Sequence, residues 1–133
     1  FGFERIVFCY LDYLIYRDGY SYDGKEIISS MQEDWQFQFR SSVEHFYPQH
    51  PVEGEQWEED DLNGFGNLAL ITIPGNSKFS NLPPVRKINS YPSVIKQSLK
   101  LKIMEKMTKL GDGKWTEAKS SIHKDEMFSI LNN

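Results

Sequence analysis

Four polar residues in the middle of the chain have side chains suited to hydrolysis of a phosphate ester: Glu44, His45, Asn67 and Asn76. A neutral imidazole can take a proton from water near pH 7. Carboxylate and amide oxygens are hard ligands that suit Mg²⁺ or Mn²⁺. Such a cation stabilises the charge that develops when a phosphodiester is cleaved. The set is therefore compatible with hydrolysis assisted by one divalent metal ion.

The elements predicted around these residues place them at the ends of strands and at a helix start. Residues 35–45 alternate apolar and polar side chains, which predicts a strand that Pro48 ends. Residues 67–73 predict a second strand, stopped by Pro74 and Gly75. Asn76 and Ser77 are good helix caps, so a short helix is expected over 77–81. The order is strand, acidic loop, strand, turn and helix.

One geometric condition concerns Glu44 and His45. Neighbouring residues of an ideal strand point to opposite faces of the sheet. The two side chains are therefore expected to reach one metal only if the strand is bent or bulged at that point.

The remaining chain is predicted to be mainly helical. Helical spacing of apolar residues indicates a largely buried helix over 3–16 and a lysine-rich helix over 93–110, and Thr116 can cap a last helix that ends near Leu131. A short helix is expected over 26–32. The aromatic residues of the first strand are expected in the core: Trp35, Phe37 and Phe39.

Length and composition favour one globular domain. The chain has 133 residues, of which 39% are hydrophobic, and no stretch is apolar enough to cross a membrane. A single cysteine, Cys9, excludes an internal disulfide and fits a reducing cytoplasm. His50 and His123 belong to no ligand-spaced pair, so both are expected to be structural or exposed.

Charge is unevenly distributed along the chain. The formal net charge is −4. From Glu44 to Asp61 there are seven acidic residues and no lysine or arginine, whereas from Lys78 to Lys114 there are nine basic residues and two acidic ones. The basic half is compatible with a nucleic-acid backbone. It is equally compatible with a solvated helix face.

Four segments in this order resemble a known family: Val43-Glu44-His45-Phe46-Tyr47-Pro48-Gln49, Gly66-Asn67-Leu68-Ala69-Leu70-Ile71-Thr72, Asn76-Ser77-Lys78-Phe79-Ser80-Asn81, and Lys87. They look like the HNH nucleases of the His-Me finger, or ββα-metal, superfamily. The nuclease domain at the C-terminal end of GmrSD-type modification-dependent restriction proteins is most similar. The likeness spans about residues 35–91.

The resemblance implies a role for each matching residue. His45 matches the general base, Asn67 the residue that braces the loop and helps orient that base, and Lys87 a lysine that contacts the phosphate or the leaving group. Glu44 and Asn76 match the ligands of one Mg²⁺ or Mn²⁺ ion. Binding of DNA is expected from four residues: Lys78, Asn81, Arg86 and Lys87.

The resemblance also implies an α+β fold, with a ββα-metal core built on a two-stranded antiparallel hairpin and surrounded by several α-helices. We expect one domain over 1–133, with a helical part (1–34), the core (35–91) and C-terminal helices (92–133). It is expected to be a C-terminal fragment of a longer bacterial chain. A ParB-like nucleotide-hydrolysing domain is expected in that chain or in a partner.

Two other functions remain open on sequence alone. One is a nucleic-acid-binding module on the same fold that does not cleave, and the other is an interaction domain that docks through helix 3–16. The first predicts salt-dependent DNA affinity without metal-dependent cleavage. The second predicts neither a bound metal nor DNA affinity.

Overall fold

The computed structural model describes residues 3–32 and 34–133, which form an α+β fold of seven α-helices and two small antiparallel sheets. The strands are β1 (Tyr20–Tyr22), β2 (Lys25–Ile28), β3 (Ser42–His45) and β4 (Leu68–Ile71). The helices are α1 (Arg5–Asp18), α2 (Glu59–Leu62), α3 (Ile73–Phe79), α4 (Pro84–Ser90), α5 (Pro92–Ile95), α6 (Leu99–Leu110) and α7 (Glu117–Leu131). A 3₁₀ turn, Phe65–Asn67, leads into β4. The fold class predicted from the sequence is confirmed.

The central ribbon pairs β3 with β4 in an unbroken register that runs from Ser42 opposite Ile71 to His45 opposite Leu68. All four residues of β4 are buried, because α1 packs on one side of this strand and the core surrounds it. Helix α1 packs against both α6 and α7, and α7 also packs on the 3₁₀ turn. The ribbon is therefore held from behind. In β3, Ser42 and Val43 are partly exposed, whereas Glu44 and His45 are buried.

The contact between α7 and the 3₁₀ turn needs a glycine at position 66. A Cβ atom built on Gly66 would lie 1.8 Å from the carbonyl oxygen of Ser120, which is a backbone atom of α7. No side chain larger than hydrogen fits there without moving the helix. This close approach fixes the position of the next residue, Asn67.

The predicted strand over 35–45 is correct only for its last four residues. Residues 35–41 have no regular structure, and Phe37 and Phe39 are 54% and 87% exposed, so placing them in the core was wrong. Strand β4 is only long enough to pair with Ser42–His45, because the chain turns into α3 directly after Thr72. Trp35 is buried as expected, and its indole donates to the Lys96 carbonyl oxygen at 3.1 Å.

The helix predicted over 26–32 is also wrong, because residues 25–28 form the second strand of a hairpin. Asp23 and Gly24 make the turn, both with positive φ (51° and 76°). A turn with positive φ at both central residues has a backbone twist that matches the right-handed twist of the paired strands. The Asp-Gly pair was a hairpin signal, and the apolar Ile27 and Ile28 face the core from a strand.

Two helix starts differ from those expected. Helix α3 begins at Ile73, where the Thr72 hydroxyl accepts from the Gly75 amide at 3.1 Å, so Asn76 lies inside the helix instead of capping it. The helix expected over 93–110 is divided into α5 and α6, since Ser98 caps α6 by accepting from the Leu101 amide. The last helix begins after Thr116, as predicted.

Helix α1 is less buried than its composition suggested. One face packs in the core through Phe8, Leu11 and Ile15, but Ile6, Tyr10 and Tyr13 are exposed. Asp12 lies on the buried face and makes an ion pair of 2.6 Å with Arg40, itself buried. Arg40 also donates to the carbonyl oxygens of Leu70 and Gln97. The irregular segment before β3 is thus anchored to α1 by a paired charge.

A buried histidine should make stability depend on pH. His123 is fully buried, and neither ring nitrogen has a hydrogen-bond partner among residues 3–32 and 34–133. Burial places the pKa of His123 well below its ordinary 6.5. Below about pH 6.5, His123 therefore binds a proton in the unfolded chain but stays neutral in the folded chain. The free energy of unfolding should fall as the pH drops through this range.

Urea unfolding at pH 7 and pH 5 should show this loss in the native chain and a smaller loss in His123→Leu. The native chain should lose more free energy of unfolding than His123→Leu, by an amount that approaches about 1.4 kcal/mol for each pH unit below the pKa of His123 in the unfolded chain. His50→Gln changes an exposed histidine and should keep the native pH dependence. An identical pH dependence in native chain and His123→Leu would contradict the account.

Candidate active site

A polar cleft of about 280 Å³ opens beside β3 and α3. It gathers residues from three separate segments of the chain: Val43, Glu44, His45, Pro48, Gln49, Asn76, Ser80 and Asn81. A more apolar cavity of about 290 Å³ lies between the β1–β2 hairpin and helices α6 and α7. The two cavities have similar volumes, so the candidate active site is chosen by the residues that line each one. Of these two, only the polar cleft contains a histidine beside a carboxylate.

Glu44 and His45 both line this cleft although the β3–β4 register contains no bulge. The expected distortion of the strand is therefore absent. Within the part of the chain that the structure describes, β3 has a strand neighbour on one side only, and the cleft follows its other edge. Two-stranded ribbons twist strongly. Successive side chains at the end of such a ribbon can therefore border one cleft.

The imidazole of His45 is bound by a residue that no pattern in the sequence had singled out. Asn63, just after α2, places its Oδ1 atom 2.8 Å from His45 Nε2. An amide oxygen only accepts hydrogen bonds, so Nε2 carries the proton and the lone pair of the neutral ring lies on Nδ1. Burial lowers the pKa of His45, and this effect is larger than that of the Asn63 hydrogen bond, which raises it. The neutral form is therefore favoured near pH 7.

Asn67 binds both ends of the segment that lies between His45 and Asn63. Its side chain is fully buried and makes four hydrogen bonds. Oδ1 accepts from the Tyr47 amide at 2.8 Å and from the Trp115 indole at 3.1 Å. Nδ2 donates to the carbonyl oxygens of Tyr47 and Leu62. Asn67 thus connects the residue two places after His45 with the residue that precedes Asn63.

Lys87 lies on α4 and is fully buried, so its ammonium group is not on the surface. Nζ is 2.8 Å from Glu44 Oε2, in an ion pair without good hydrogen-bond direction. It donates to the backbone carbonyl oxygens of His45 and Phe46 at 2.9 and 3.0 Å. Burial raises the pKa of Glu44 and lowers that of Lys87, and their mutual attraction opposes both shifts. Lys87 therefore braces the end of β3 from behind.

The four residues expected to bind DNA lie in different environments: two are exposed, one lines the cleft and one is buried. Lys78 on α3 and Arg86 on α4 are exposed, and Asn81 lines the cleft. Arg86 is 3.9 Å from Glu53 of the acidic loop. Lys87 does not reach solvent, so the surface role expected of it finds no support in this arrangement.

The donor set fits one loosely held hard cation. Among the described residues no three His, Cys, Asp or Glu side chains gather as a metal cluster. The cleft instead offers the Glu44 carboxylate and the Asn76 amide, whose side chain hydrogen-bonds to no residue within 3–32 and 34–133. Mg²⁺ commonly takes one or two protein ligands and keeps several waters. Lys87 beside Glu44 weakens but does not abolish the pull of that carboxylate on a cation.

The model of the C-terminal domain of GmrSD restriction endonucleases matches residues 1–130, which is nearly the whole chain. The chain belongs to this family. No curated protein and no solved structure matched it. As a GmrSD C-terminal domain, the chain is a restriction-endonuclease module, in agreement with the resemblance carried by its motifs. No helix within residues 3–32 and 34–133 is long and apolar enough to cross a membrane.

The GmrSD domain should depend on the Glu44–Lys87 pair for stability. Lys87→Met removes the cation from a buried carboxylate and leaves two carbonyl oxygens without a donor. The expected cost is about 3–5 kcal/mol in urea unfolding. Glu44→Gln combined with Lys87→Met should recover part of this loss, because the uncompensated charge is then gone.

Lys78→Met supplies the control for this cycle, since the same change on an exposed lysine of α3 should cost less than about 0.5 kcal/mol. Tryptophan fluorescence can follow unfolding in metal-free buffer. If Lys87→Met were as stable as Lys78→Met, the ion pair would not hold the end of β3.

Proposed function

We propose that this GmrSD domain is an HNH-type endonuclease that hydrolyses DNA phosphodiester bonds with the help of one Mg²⁺ or Mn²⁺ ion. The observation that carries the proposal is the cleft itself, which combines an oriented neutral imidazole and a carboxylate from β3 with an amide from α3. Membership of a restriction-endonuclease family names DNA as the substrate class.

His45 acts in this proposal as the general base. Its Nε2 proton is bound to Asn63, so Nδ1 takes a proton from the attacking water. The water oxygen forms a bond to phosphorus, and the bond from phosphorus to the leaving sugar oxygen breaks. That oxygen then takes a proton from solvent. Asn67 is a positioning residue, because it fixes the backbone on both sides of the His45–Asn63 contact.

Glu44 and Asn76 are the residues that would hold the cation. When bound, the ion supplies positive charge to the phosphate and to the leaving oxygen. Lys87 is a positioning residue that orients the Glu44 carboxylate and holds the β3 carbonyls, rather than a group that touches DNA. Lys78 on α3 and Arg86 on α4 are the proposed contacts to the DNA backbone, which their exposure supports, and Asn81 is a further proposed contact because it lines the cleft.

The setting of the domain belongs to the same proposal. We infer that it works in the bacterial cytoplasm in phage defence. We also infer that a ParB-like nucleotide-hydrolysing domain, in the same protein or in a partner, controls its access to DNA.

Cleavage should depend on His45. Plasmid incubated with the native domain and Mg²⁺ or Mn²⁺ should be nicked, and His45→Ala should lower the rate by roughly 10²–10⁴-fold, the usual contribution of a general base. Asp125→Ala, an exposed change on α7, should cut like the native domain. Equal cutting by His45→Ala would exclude His45 as the base, and DNA binding without cleavage by the native domain would favour a non-catalytic module.

Metal binding should depend on Glu44 and Asn76. Calorimetric titration with Mn²⁺ should give one site in the native domain and at least about tenfold weaker binding in Glu44→Ala with Asn76→Ala. Glu53→Ala with Glu55→Ala removes two acidic residues from the exposed loop and should leave affinity unchanged. Loss of affinity in the loop variant alone would place the cation there instead.

A further inference from the structure

A second depression, of about 240 Å³, adjoins the cleft on the side of the acidic loop. Its lining residues are Gln49, His50, Gln56, Trp57, Glu59, Leu62 and Asn63. Gln49 lines both this pocket and the cleft, and Asn63 is the residue that holds His45. The pocket is therefore next to the proposed reaction centre, and no residue role assigned so far explains it.

The chemistry of this pocket favours a neutral, flat ligand. Three primary amides supply donors and acceptors together, and there is no lysine or arginine in the lining. The Glu59 carboxylate, at the start of α2 beside Glu58, Asp60 and Asp61, repels a phosphate. Asparagine and glutamine amides recognise base edges by paired hydrogen bonds. A nucleobase offers such an edge without carrying charge.

Trp57 gives the pocket a rigid aromatic wall. Its indole is stacked on Tyr47 with ring centroids 4.4 Å apart and an interplanar angle of 7°. The Tyr47 hydroxyl donates to the Glu55 carbonyl oxygen, and the Tyr47 backbone is held at both its amide and its carbonyl by Asn67. An indole fixed in this way can stack with a base at little entropic cost.

We propose that this pocket receives one unstacked base of the DNA substrate beside the phosphate that is cleaved. The pocket is smaller than the roughly 300–1,000 Å³ typical of sites for drug-sized ligands, which agrees with a single base. A base inside a duplex cannot present its edge and its face together, so the nucleotide must be unpaired or rotated out of the stack. The inference rests on the proposed function.

Asn63 couples this pocket to His45. Its Oδ1 atom bonds to His45, whereas Nδ2 donates to no residue in the part of the chain that the structure describes. A base acceptor that binds Nδ2 holds the amide with its oxygen toward the imidazole. The flipped amide would set its NH₂ group against the Nε2 proton, donor against donor. An occupied pocket therefore favours the imidazole tautomer that can take a proton at Nδ1.

Base binding can be tested without any cleavage. The four deoxynucleosides, which carry no phosphate, should change the Trp57 fluorescence of the native domain. We expect the response to be absent in Trp57→Phe and the affinity to fall about tenfold in Gln56→Ala, on the scale of one lost base contact. Gln38→Ala changes an exposed glutamine outside the pocket and should bind as the native domain does. A native domain that responds to none of the four nucleosides overturns the proposal.

The coupling has its own readout in cleavage kinetics. On oligonucleotides that lack a single base near the cut, the native domain should show a kcat at least tenfold lower than on intact DNA. Gln56→Ala should show the same kcat on intact and on abasic DNA. If the lost base or the lost glutamine changes KM alone, the pocket binds without acting on His45, and the coupling is refuted.

The two proposals can fail separately. A domain that binds nucleosides through Trp57 and Gln56 but never cuts DNA supports the pocket and contradicts the nuclease. The reverse outcome is a domain that needs His45 to cut DNA, a Gln56→Ala variant that cuts like the native domain, and abasic DNA that is cut like intact DNA. That outcome contradicts the pocket and supports the nuclease.

Discussion

The four hydrogen bonds of the Asn67 side chain determine where the groups of the cleft can lie. Asn67 binds the backbone on both sides of the long loop, at Tyr47 and at Leu62, and it binds Trp115 from the C-terminal part of the chain. A fully buried amide with every donor and acceptor used is costly to displace. The glycine before it allows α7 to approach so closely that this position has no freedom. The His45–Asn63 contact is therefore a product of core packing rather than of a flexible loop.

Two buried lysines complete this framework from within. Lys87 donates to the carbonyl oxygens at the end of β3, and Lys100 donates to those of Phe65 and Leu68 on either side of Asn67. Both ammonium groups satisfy backbone oxygens that the short strands leave without partners. Burial lowers the pKa of Lys100 to about 7. The basic character of the second half of the chain is thus partly internal, because two of its lysines lie in the core.

The sequence predicted the segments that carry the cleft better than the contacts within it. Strand ends, prolines and the Asn-Leu strand are local signals, so Glu44, His45, Asn67 and Asn76 were assigned to the right neighbourhood. Asn63 lies in an acidic loop with no periodic pattern, and only α2 and Asn67 bring it to His45. Lys87 looked like a surface cation because nothing local distinguishes a lysine that is paired in the core. Phe37 and Phe39 alternate as in a strand, but the partner that would bury them is only four residues long.

The distance along the chain between Asn67 and its supports has a consequence for synthesis of the protein. His45 and Asn67 leave the ribosome well before Trp115, which completes the Asn67 hydrogen bonds, and before Ser120, against which Gly66 packs. Contacts of such long sequence separation form late. A nascent chain that already holds every polar residue of the cleft still lacks the helix that fixes them. The geometry of the cleft can therefore be completed only after the C-terminal part of the chain has been made.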